Sequence, residues 1–376
     1  SPGETAPTWT ELEWRIAEAV SAMHGVSSLL GSVLRWQGPA RWQRFLDEQR
    51  NHTLSRHQRV AALLRDIDTQ ARREGVAVTA LKGAALHALG VYRAGERPMA
   101  DVDLLVRGPD LERAARVLEQ VGYAYSCTWW KHEAFVPRDA PAVAGFGEHA
   151  ANPIKIDLHV RIFERLPVVE ADITETVLGS RAEPGLNGYP TRAAMMAHLL
   201  LHAAGNMRAR SLRMIQLHDI AGLAAHMSAD DWNAVAPDPA QWWALPPLEF
   251  AARHYPRVIP PDVLATFARA CPRHLRRACR QQALTDVSLS NPWIEAFPGI
   301  EWSPTPMDRV RYVVSRVWPD REMLTGRENL AQSHPWMEEH AWTRMPQWRR
   351  VLRWVRSRPA RVETMHPVAA VLRGLR

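Results

Sequence analysis

Hydrophobic residues in the first 75 positions recur every three or four residues, which is the spacing of an amphipathic helix. Leu12 and Ile16 belong to such a series, which predicts a helix over 9–36. A longer helix is predicted over 40–74 and ends at Gly75. We therefore expect a helical arm at the N-terminus.

The pattern changes at residue 76 to short runs rich in β-branched residues, bounded by glycine, proline or polar turns, which are typical of strands. Strands are predicted at 76–82, 100–106, 123–127, 132–137 and 154–163, the last being the final strand, with helices at 84–91 and 110–121. Asp110 is expected to cap the second of these helices. The predicted fold class is α+β, with a small mixed, mainly antiparallel sheet and flanking helices.

Helical spacing returns after a turn rich in proline and glycine at 183–190. Helices are predicted at 191–205, 211–227, 229–235, 261–286, 306–317 and 346–356. The chain then divides into a helical arm (1–75), an α+β core (76–165), a helical region that completes the cleft of that core (166–240) and a mainly helical C-terminal region rich in tryptophan and arginine (241–376).

Composition narrows the class of protein. The 376 residues are 46% hydrophobic and 23% charged, which is ordinary for a globular chain. No apolar run approaches the roughly 20 residues that span a bilayer, and the first residues do not resemble a signal peptide. Three cysteines without a CxxC pair make neither a disulfide framework nor a zinc ribbon. We expect a cytoplasmic protein without a membrane partner.

The net charge of +7 leaves nucleic-acid binding open, but lysine is the more informative basic residue. Of the 47 basic residues, only Lys82, Lys131 and Lys155 are lysines, and all three lie in one window. An ammonium is a compact charge suited to phosphate, whereas the arginine guanidinium is a planar fork. This clustering hints at an anion site.

Three aspartates are the main candidates for chemistry. Asp101 and Asp103 lie two apart on a predicted strand and therefore on one face of it, and Asp157 lies between apolar residues of another strand. Neighbouring carboxylates repel each other and need a cation to offset that cost. Oxygen ligands suit Mg²⁺ or Mn²⁺, and three carboxylates from adjacent strands can hold two ions about 4 Å apart.

Other charged residues extend this pattern. Gly83 stands where a strand ends and a helix begins, so backbone N–H groups there can approach a phosphate. Lys155 shares a strand face with Asp157, where it can reach a phosphate or simply offset the carboxylates. His198 and His202 lie four apart on one helix face without an HExxH glutamate, as metal ligands or as core or pocket-wall residues.

The stretch LKGAALHALGVYRAGERPMADVDLLV, followed by IKIDLHV, resembles the nucleotidyltransferase superfamily. It is most similar to the bacterial branch of uncharacterised nucleotidyltransferases, with an LKG turn, an Arg-Pro element before DxDLLV and a later DLH strand. The segments LLLHAAGNM and LHDIAGLAAH are also similar to that branch. The resemblance covers roughly residues 55–235 and reaches neither the N-terminal arm nor the last part of the chain.

The resemblance implies roles for four residues. Asp101 and Asp103 match the catalytic metal-binding pair. Asp157 matches the third carboxylate, which helps bind metal and activates the acceptor hydroxyl, and Gly83 matches the glycine of the phosphate turn.

Three neighbouring positions extend the predicted nucleotide site. Ala84 stands where the superfamily usually has glycine or serine, so it offers a backbone N–H but no hydroxyl. Lys82 and Arg97 flank the motif and are candidate triphosphate contacts on the grounds of charge and position.

The predicted function is therefore transfer of a nucleoside monophosphate from an NTP, such as ATP, to a hydroxyl or phosphate acceptor. Pyrophosphate is released, and two Mg²⁺ or Mn²⁺ ions assist. A small molecule, peptide or protein is the favoured acceptor, and a toxin-like tRNA nucleotidyltransferase is the alternative. A nucleotide-binding or scaffolding protein without activity, or a nucleic-acid-binding protein, would be a different class.

Overall fold

The computed structural model describes residues 5–139, 148–180, 182–235, 241–321, 324–325, 345–357 and 359–360. The helices in these ranges are α1 (Glu11–Met23), α2 (Ser27–Val33), α3 (Ala40–Glu74), α4 (Lys82–Ala88), α5 (Leu111–Gln120), α6 (Thr174–Leu178), α7 (Arg192–Arg208), α8 (Met214–Ala224), α9 (Ala229–Ala234), α10 (Leu245–His254), α11 (Pro261–Ala270), α12 (Arg273–Gln281), α13 (Leu284–Val287), α14 (Pro306–Val317) and α15 (Gln347–Ser357). The strands are β1 (Ala77–Ala80), β2 (Asp101–Leu105), β3 (Tyr123–Thr128), β4 (Glu133–Pro137), β5 (Lys155–His159), β6 (Phe163–Leu166), β7 (Val169–Asp172) and β8 (Gly185–Asn187).

The N-terminal arm is helical, as predicted. The helix expected over 9–36 is two helices, α1 and α2, because the chain turns at Gly25 with a left-handed φ of +68°. The long helix α3 has the predicted bounds and stops at Gly75, whose φ is +65°.

Six strands form one mixed sheet in the order β3-β4-β5-β2-β1-β8, and β6 pairs with β7 separately. Three of the five pairings in the large sheet are antiparallel, whereas β2–β5 and β1–β8 are parallel. The prediction of a strand over 154–163 is wrong at its end: β5 stops at His159, and β6, β7 and β8 follow. Strands of three or four residues are too short for alternation to reveal them, and β8 lies inside the expected turn.

Helices α3 and α5 cover one face of the sheet. Apolar residues of α3, such as Ile67, share a core with Val102 and Leu104 of β2 and with Ile156 of β5. Asp110 does not cap α5 with its side chain, contrary to prediction; its carboxylate accepts from Arg113 instead. The α+β class is confirmed, and the opposite face of β2 and β5 remains available for a cleft.

A second core surrounds α7, which is buried along most of its length. It extends from Leu81 and Leu105 of the sheet to α8 and on to Phe267, Cys279 and Trp302. The predicted helix over 261–286 is three helices, α11 to α13, because the chain breaks at Pro272 and again near residue 283. The domain boundaries at 75, 165 and 240 stay predictions, and both cores pack across them.

Within the described residues, none of the helices has the length and apolar character needed to cross a bilayer.

Candidate functional site

A cavity of about 340 Å³ lies over the open face of the sheet, between the β1–α4 turn, α7 and the start of α8. Seven of the eight predicted site residues line it: Lys82, Gly83, Ala84, Arg97, Asp101, Asp103 and Asp157. Lys155 is exposed on β5 and does not line the cavity. The structure therefore brings most of the predicted site together.

The carboxylates converge because β2 and β5 run parallel and in register. Asp103 is the direct partner of Asp157, and Asp101 lies two residues earlier on β2, where it is paired with Lys155. Residues between them, Val102 and Ile156, point into the core beneath α3 and α5. Alternation along the strands therefore turns all three carboxylates to the cavity.

Asp103 is the carboxylate with the closest partners. Its Oδ1 accepts a hydrogen bond from Lys82 Nζ at 2.7 Å and one from His159 Nε2 at 3.1 Å. Burial alone would favour the neutral acid, but the Lys82 ammonium and His159 hold the pKa of Asp103 well below its usual range. Asp103 is therefore the permanent anion of the cluster, and Oδ2 takes part in neither bond.

The pKa values of the other two carboxyl groups are shifted upward, opposite to that of Asp103. Asp101 is open to the cavity, yet the crowded surroundings and the charge of Asp103 raise its pKa. Burial, followed by the charges of Asp101 and Asp103, raises the pKa of Asp157 to about 7. A carboxyl group with a pKa near neutrality can accept and release a proton at pH 7.

His132 lies beside Asp157, with Nε2 3.4 Å from Oδ2. Burial lowers the pKa of His132 to about 3, so the imidazole is neutral and the contact is not an ion pair at pH 7. His132 was not singled out from the sequence, because its link to Asp157 depends on the pairing of β4 with β5.

Metal binding depends on the donor atoms that line the cavity. Among the described side chains, no group of three or more His, Cys, Asp or Glu residues is arranged to hold an ion. The Lys82 ammonium occupies the position beside Asp103 that a cation would share. The donors themselves are carboxylate oxygens, which fit Mg²⁺ or Mn²⁺, so the metal stays a prediction.

Arg97 is held by a carboxylate from far along the chain. Its Nε and Nη2 donate to Asp219 of α8 at 2.8 and 2.7 Å, and Tyr92 donates to the same carboxylate at 2.7 Å. A Cβ on Gly83 would collide with the Arg97 guanidinium. Glycine is therefore required at position 83 to leave room for the Arg97 side chain. The interpretation of Gly83 as the glycine of a phosphate turn does not include this reason.

At the opposite end of the cavity, Lys131 forms an ion pair with Glu164 of β6. The Glu164 carboxylate lies against Gly205, where any side chain would overlap it, and 4.0 Å from His202. Sequence analysis missed Glu164, although a glycine inside the helical segment AAGNM signals a close approach. Lys131 was noticed only as one of three lysines.

The two helix histidines occupy different places on α7. His198 is 4% exposed, whereas His202 lines the cavity. Burial lowers the pKa of both imidazoles well below the usual value. Both are therefore neutral residues of the core and pocket wall, the second of the two interpretations that the sequence left open.

The N-terminal arm also contributes to the cavity. Met23 O accepts from Arg213 Nε at 2.9 Å, and the His24 carbonyl oxygen accepts from Ile215 N at 3.1 Å. His24 Nδ1 accepts from Met214 N at 3.0 Å. Arg213 and Ile215 line the cavity, so the arm fixes one of its walls.

Comparison with known proteins gives one match. A family model described as uncharacterised nucleotidyltransferase matches residues 10–260, about two thirds of the chain. The match extends beyond the predicted limits of 55–235 at both ends and includes the N-terminal arm, in agreement with the contacts of Met23 and His24. No curated protein and no solved structure shows a significant match.

Proposed function

The chain belongs to the family of uncharacterised nucleotidyltransferases, and from this membership we propose that it transfers a nucleoside monophosphate from an NTP to a hydroxyl or phosphate oxygen of an acceptor. Pyrophosphate is the other product. One observation carries the proposal: Asp101, Asp103 and Asp157 face one cavity, in register on adjacent strands, beside the lysine of the β1–α4 turn.

Lys82 and the backbone of Gly83 and Ala84 are the proposed binding site for the triphosphate. The Lys82 ammonium already lies among the carboxylates, so a phosphate that enters the cavity meets a charge held in place. Arg97 stands behind the turn with two of its nitrogens committed to Asp219, which suits it to support the turn. Lys155 remains a weaker candidate because it lies outside the cavity.

The three aspartates would hold Mg²⁺ or Mn²⁺, with Asp103 as the constant anion. Such ions, when bound, neutralise charge on the transferring phosphoryl group and align the attacking oxygen. Asp157 is the proposed base: its carboxylate accepts the proton of the acceptor hydroxyl while that oxygen forms the new bond to phosphorus. The bond from phosphorus to the pyrophosphate oxygen then breaks, and the electron pair leaves with pyrophosphate.

The acceptor is proposed to be a small molecule or a peptide. Support comes from the cavity, whose volume of about 340 Å³ is in the range of small-molecule pockets and which residues of α7 and α8 help to line. The acceptor screen includes tRNA as the competing outcome.

The deciding experiment is a thermal-shift panel of ATP, GTP, CTP and UTP, each with and without Mg²⁺. A nucleotide present at 100 times its Kd should add about 2.7 kcal/mol to the free energy of unfolding. We expect a Mg²⁺-dependent shift with at least one NTP, and its loss in the Asp101→Ala/Asp103→Ala variant. Asp66→Ala, which changes an exposed residue of α3, is the matched control.

A shift that survives the double substitution, or that needs no Mg²⁺, would contradict the proposed mechanism and favour a nucleotide-binding scaffold. If a shift appears, pyrophosphate release is then measured against small-molecule, peptide and tRNA acceptors.

A further inference from the structure

The backbone of Lys82 has an unusual conformation for a residue with a side chain. Its φ is +44°, in the left-handed region that glycine favours. Such a conformation is strained for a residue with a side chain and persists only when the surroundings hold it. The contacts of Lys82 should therefore show what holds it.

A chain of hydrogen bonds leads from Lys82 into the buried helix α7. The Lys82 N–H donates to the hydroxyl oxygen of Tyr189 at 3.1 Å. Tyr189 lies in the loop between β8 and α7, and its oxygen is 2.6 Å from His198 Nδ1. The Tyr189 hydroxyl therefore bridges the Lys82 backbone and the His198 imidazole, and the tautomer of His198 sets the direction of the second hydrogen bond.

The other end of Lys82 reaches the carboxylate cluster. Lys82 Nζ donates to Asp103 Oδ1 at 2.7 Å, and its side chain is 17% exposed. In the β1–α4 turn, the backbone of Lys82 is therefore hydrogen-bonded towards α7, and its ammonium is bonded to the cavity face of β2.

We propose that Tyr189 and His198 are positioning residues, which hold the backbone of Lys82 so that its ammonium stays on Asp103 and meets the phosphates of the nucleotide. The phosphate part of this inference rests on the proposed function, whereas the placement of Lys82 on Asp103 does not. His198 orients Tyr189, and Tyr189 holds Lys82.

A first test observes Lys82 directly and needs no nucleotide. The chain has three lysines, so protein labelled with ¹³C at lysine Cε gives three side-chain NMR signals, assigned with Lys131→Arg and Lys155→Arg. We expect Tyr189→Phe to shift or broaden the Lys82 signal. An unchanged Lys82 signal in folded Tyr189→Phe would overturn the inference.

Two substitutions of His198 separate the hydrogen bond from packing. His198→Asn keeps an amide near the position of Nδ1 that can accept or donate a hydrogen bond, whereas His198→Leu fills the space without such a group. The Lys82 signal should move in His198→Leu and stay in His198→Asn; equal behaviour of the two would contradict the role of His198. This pair also decides the question if Tyr189→Phe does not fold.

Tyr312→Phe is the matched control for loss of a buried tyrosine hydroxyl. The Tyr312 side chain is 3% exposed, and its hydroxyl donates to Pro298 O at 2.7 Å, away from the cavity residues. It should leave the Lys82 signal unchanged. A shift equal to that of Tyr189→Phe would mean that any lost buried bond disturbs the turn, and would overturn the inference.

A second test measures NTP affinity in the presence of Mg²⁺. Tyr189→Phe should weaken binding about tenfold, as expected for one hydrogen bond that orders a charged group. If Tyr189 acts through Lys82, Tyr189→Phe should cause no further loss in a Lys82→Met background. Additive losses would contradict the positioning role.

The two tests fail separately. No NTP binding by the wild type would count against the proposed function, and the lysine spectrum would still decide whether Tyr189 and His198 place Lys82.

Discussion

Two of the cation–carboxylate pairs at the cavity, Arg97 with Asp219 and Lys82 with Asp103, are built differently. Arg97 donates through two nitrogens to both oxygens of Asp219, and both side chains are nearly buried. Lys82 makes a single bond to one oxygen of Asp103, with two further carboxylates nearby. The first pair is satisfied by itself, whereas the aspartates around the second keep surplus negative charge that a bound cation or a proton on Asp157 can offset.

The difference separates a supporting role at one end of the cleft from the proposed chemical role at the other. Arg97 and Asp219 satisfy each other through two hydrogen bonds, so neither group is available to bind a ligand. This end of the cleft therefore holds α8 against the β1–α4 turn. Repulsion among the aspartates costs stability, which is the expected signature of a site selected for reaction. Substitutions at the two ends should therefore change stability in opposite directions.

The largest effect is expected at the supporting end. Asp219→Ala leaves the Arg97 guanidinium buried without its partner, and the free energy of unfolding should fall by about 3–5 kcal/mol. Urea denaturation measures it, and Asp66→Ala, at an exposed position, should change stability by less than about 0.5 kcal/mol. Equal losses in the two variants would show that the Arg97–Asp219 pair is not a support.

The next effect is the pH dependence of stability at His24, in the part of the N-terminal arm that fixes a wall of the cavity. Burial lowers the pKa of His24 to about 4, below its ordinary value of 6.5. Between these values the unfolded chain binds a proton that the folded chain does not, so stability falls as pH falls through this window. The contribution of His24 is about 3 kcal/mol in total.

His24→Asn keeps an acceptor for Met214 N but cannot titrate. Its stability should therefore fall less steeply between pH 6.5 and 4, by up to about 1.4 kcal/mol per pH unit. Chemical denaturation across this range tests it, with His226→Asn at an exposed position as control. Parallel profiles for wild type and His24→Asn would refute the assignment.

At the reactive end, removal of a charge should stabilise the protein. The pKa of Asp157 is raised to about 7, so at pH 8 its anion disfavours the folded state. Asp157→Asn should raise the free energy of unfolding by up to about 4 kcal/mol in EDTA at pH 8. Asp103→Asn should lower it, because the pKa of Asp103 is held down by Lys82 and His159; a loss in both variants would contradict the distinction.

The smallest effect is expected outside the cavity. Lys155 is exposed and does not line the site, so Lys155→Gln should change stability by less than about 0.5 kcal/mol. NTP affinity should also stay within a factor of about two, as measured by titration calorimetry. A loss of affinity as large as that of Lys82→Met would place Lys155 in the nucleotide site after all.

Periodicity predicted the elements that bring the carboxylates together. The long helix α3 and the strand around Asp101 and Asp103 were found because each has enough residues for its spacing to show. The alternation of aspartate with apolar residues also predicted the face on which Asp157 lies. Local patterns therefore gave the core of the candidate site.

The partners of these residues could not be predicted in the same way. Arg97 meets Asp219, and Lys131 meets Glu164, through packing between distant segments that no local spacing encodes. Tyr189 was hidden in a stretch expected to be a turn, beside a strand of three residues. The supporting half of the cleft thus depends on tertiary contacts that only the structure shows.

The pairing of Arg97 with Asp219 also has a consequence for biosynthesis. The two residues are 122 positions apart, so at about 5–20 residues per second a ribosome adds the second some 6–25 s after the first. Until then the Arg97 guanidinium has no carboxylate with which it can be buried as an ion pair, and α8 cannot yet form its wall of the cavity. A nascent chain has all three aspartates once Asp157 is added, but it can enclose them only after Asp219, about five sixths of the way through the family-matched region, has been translated.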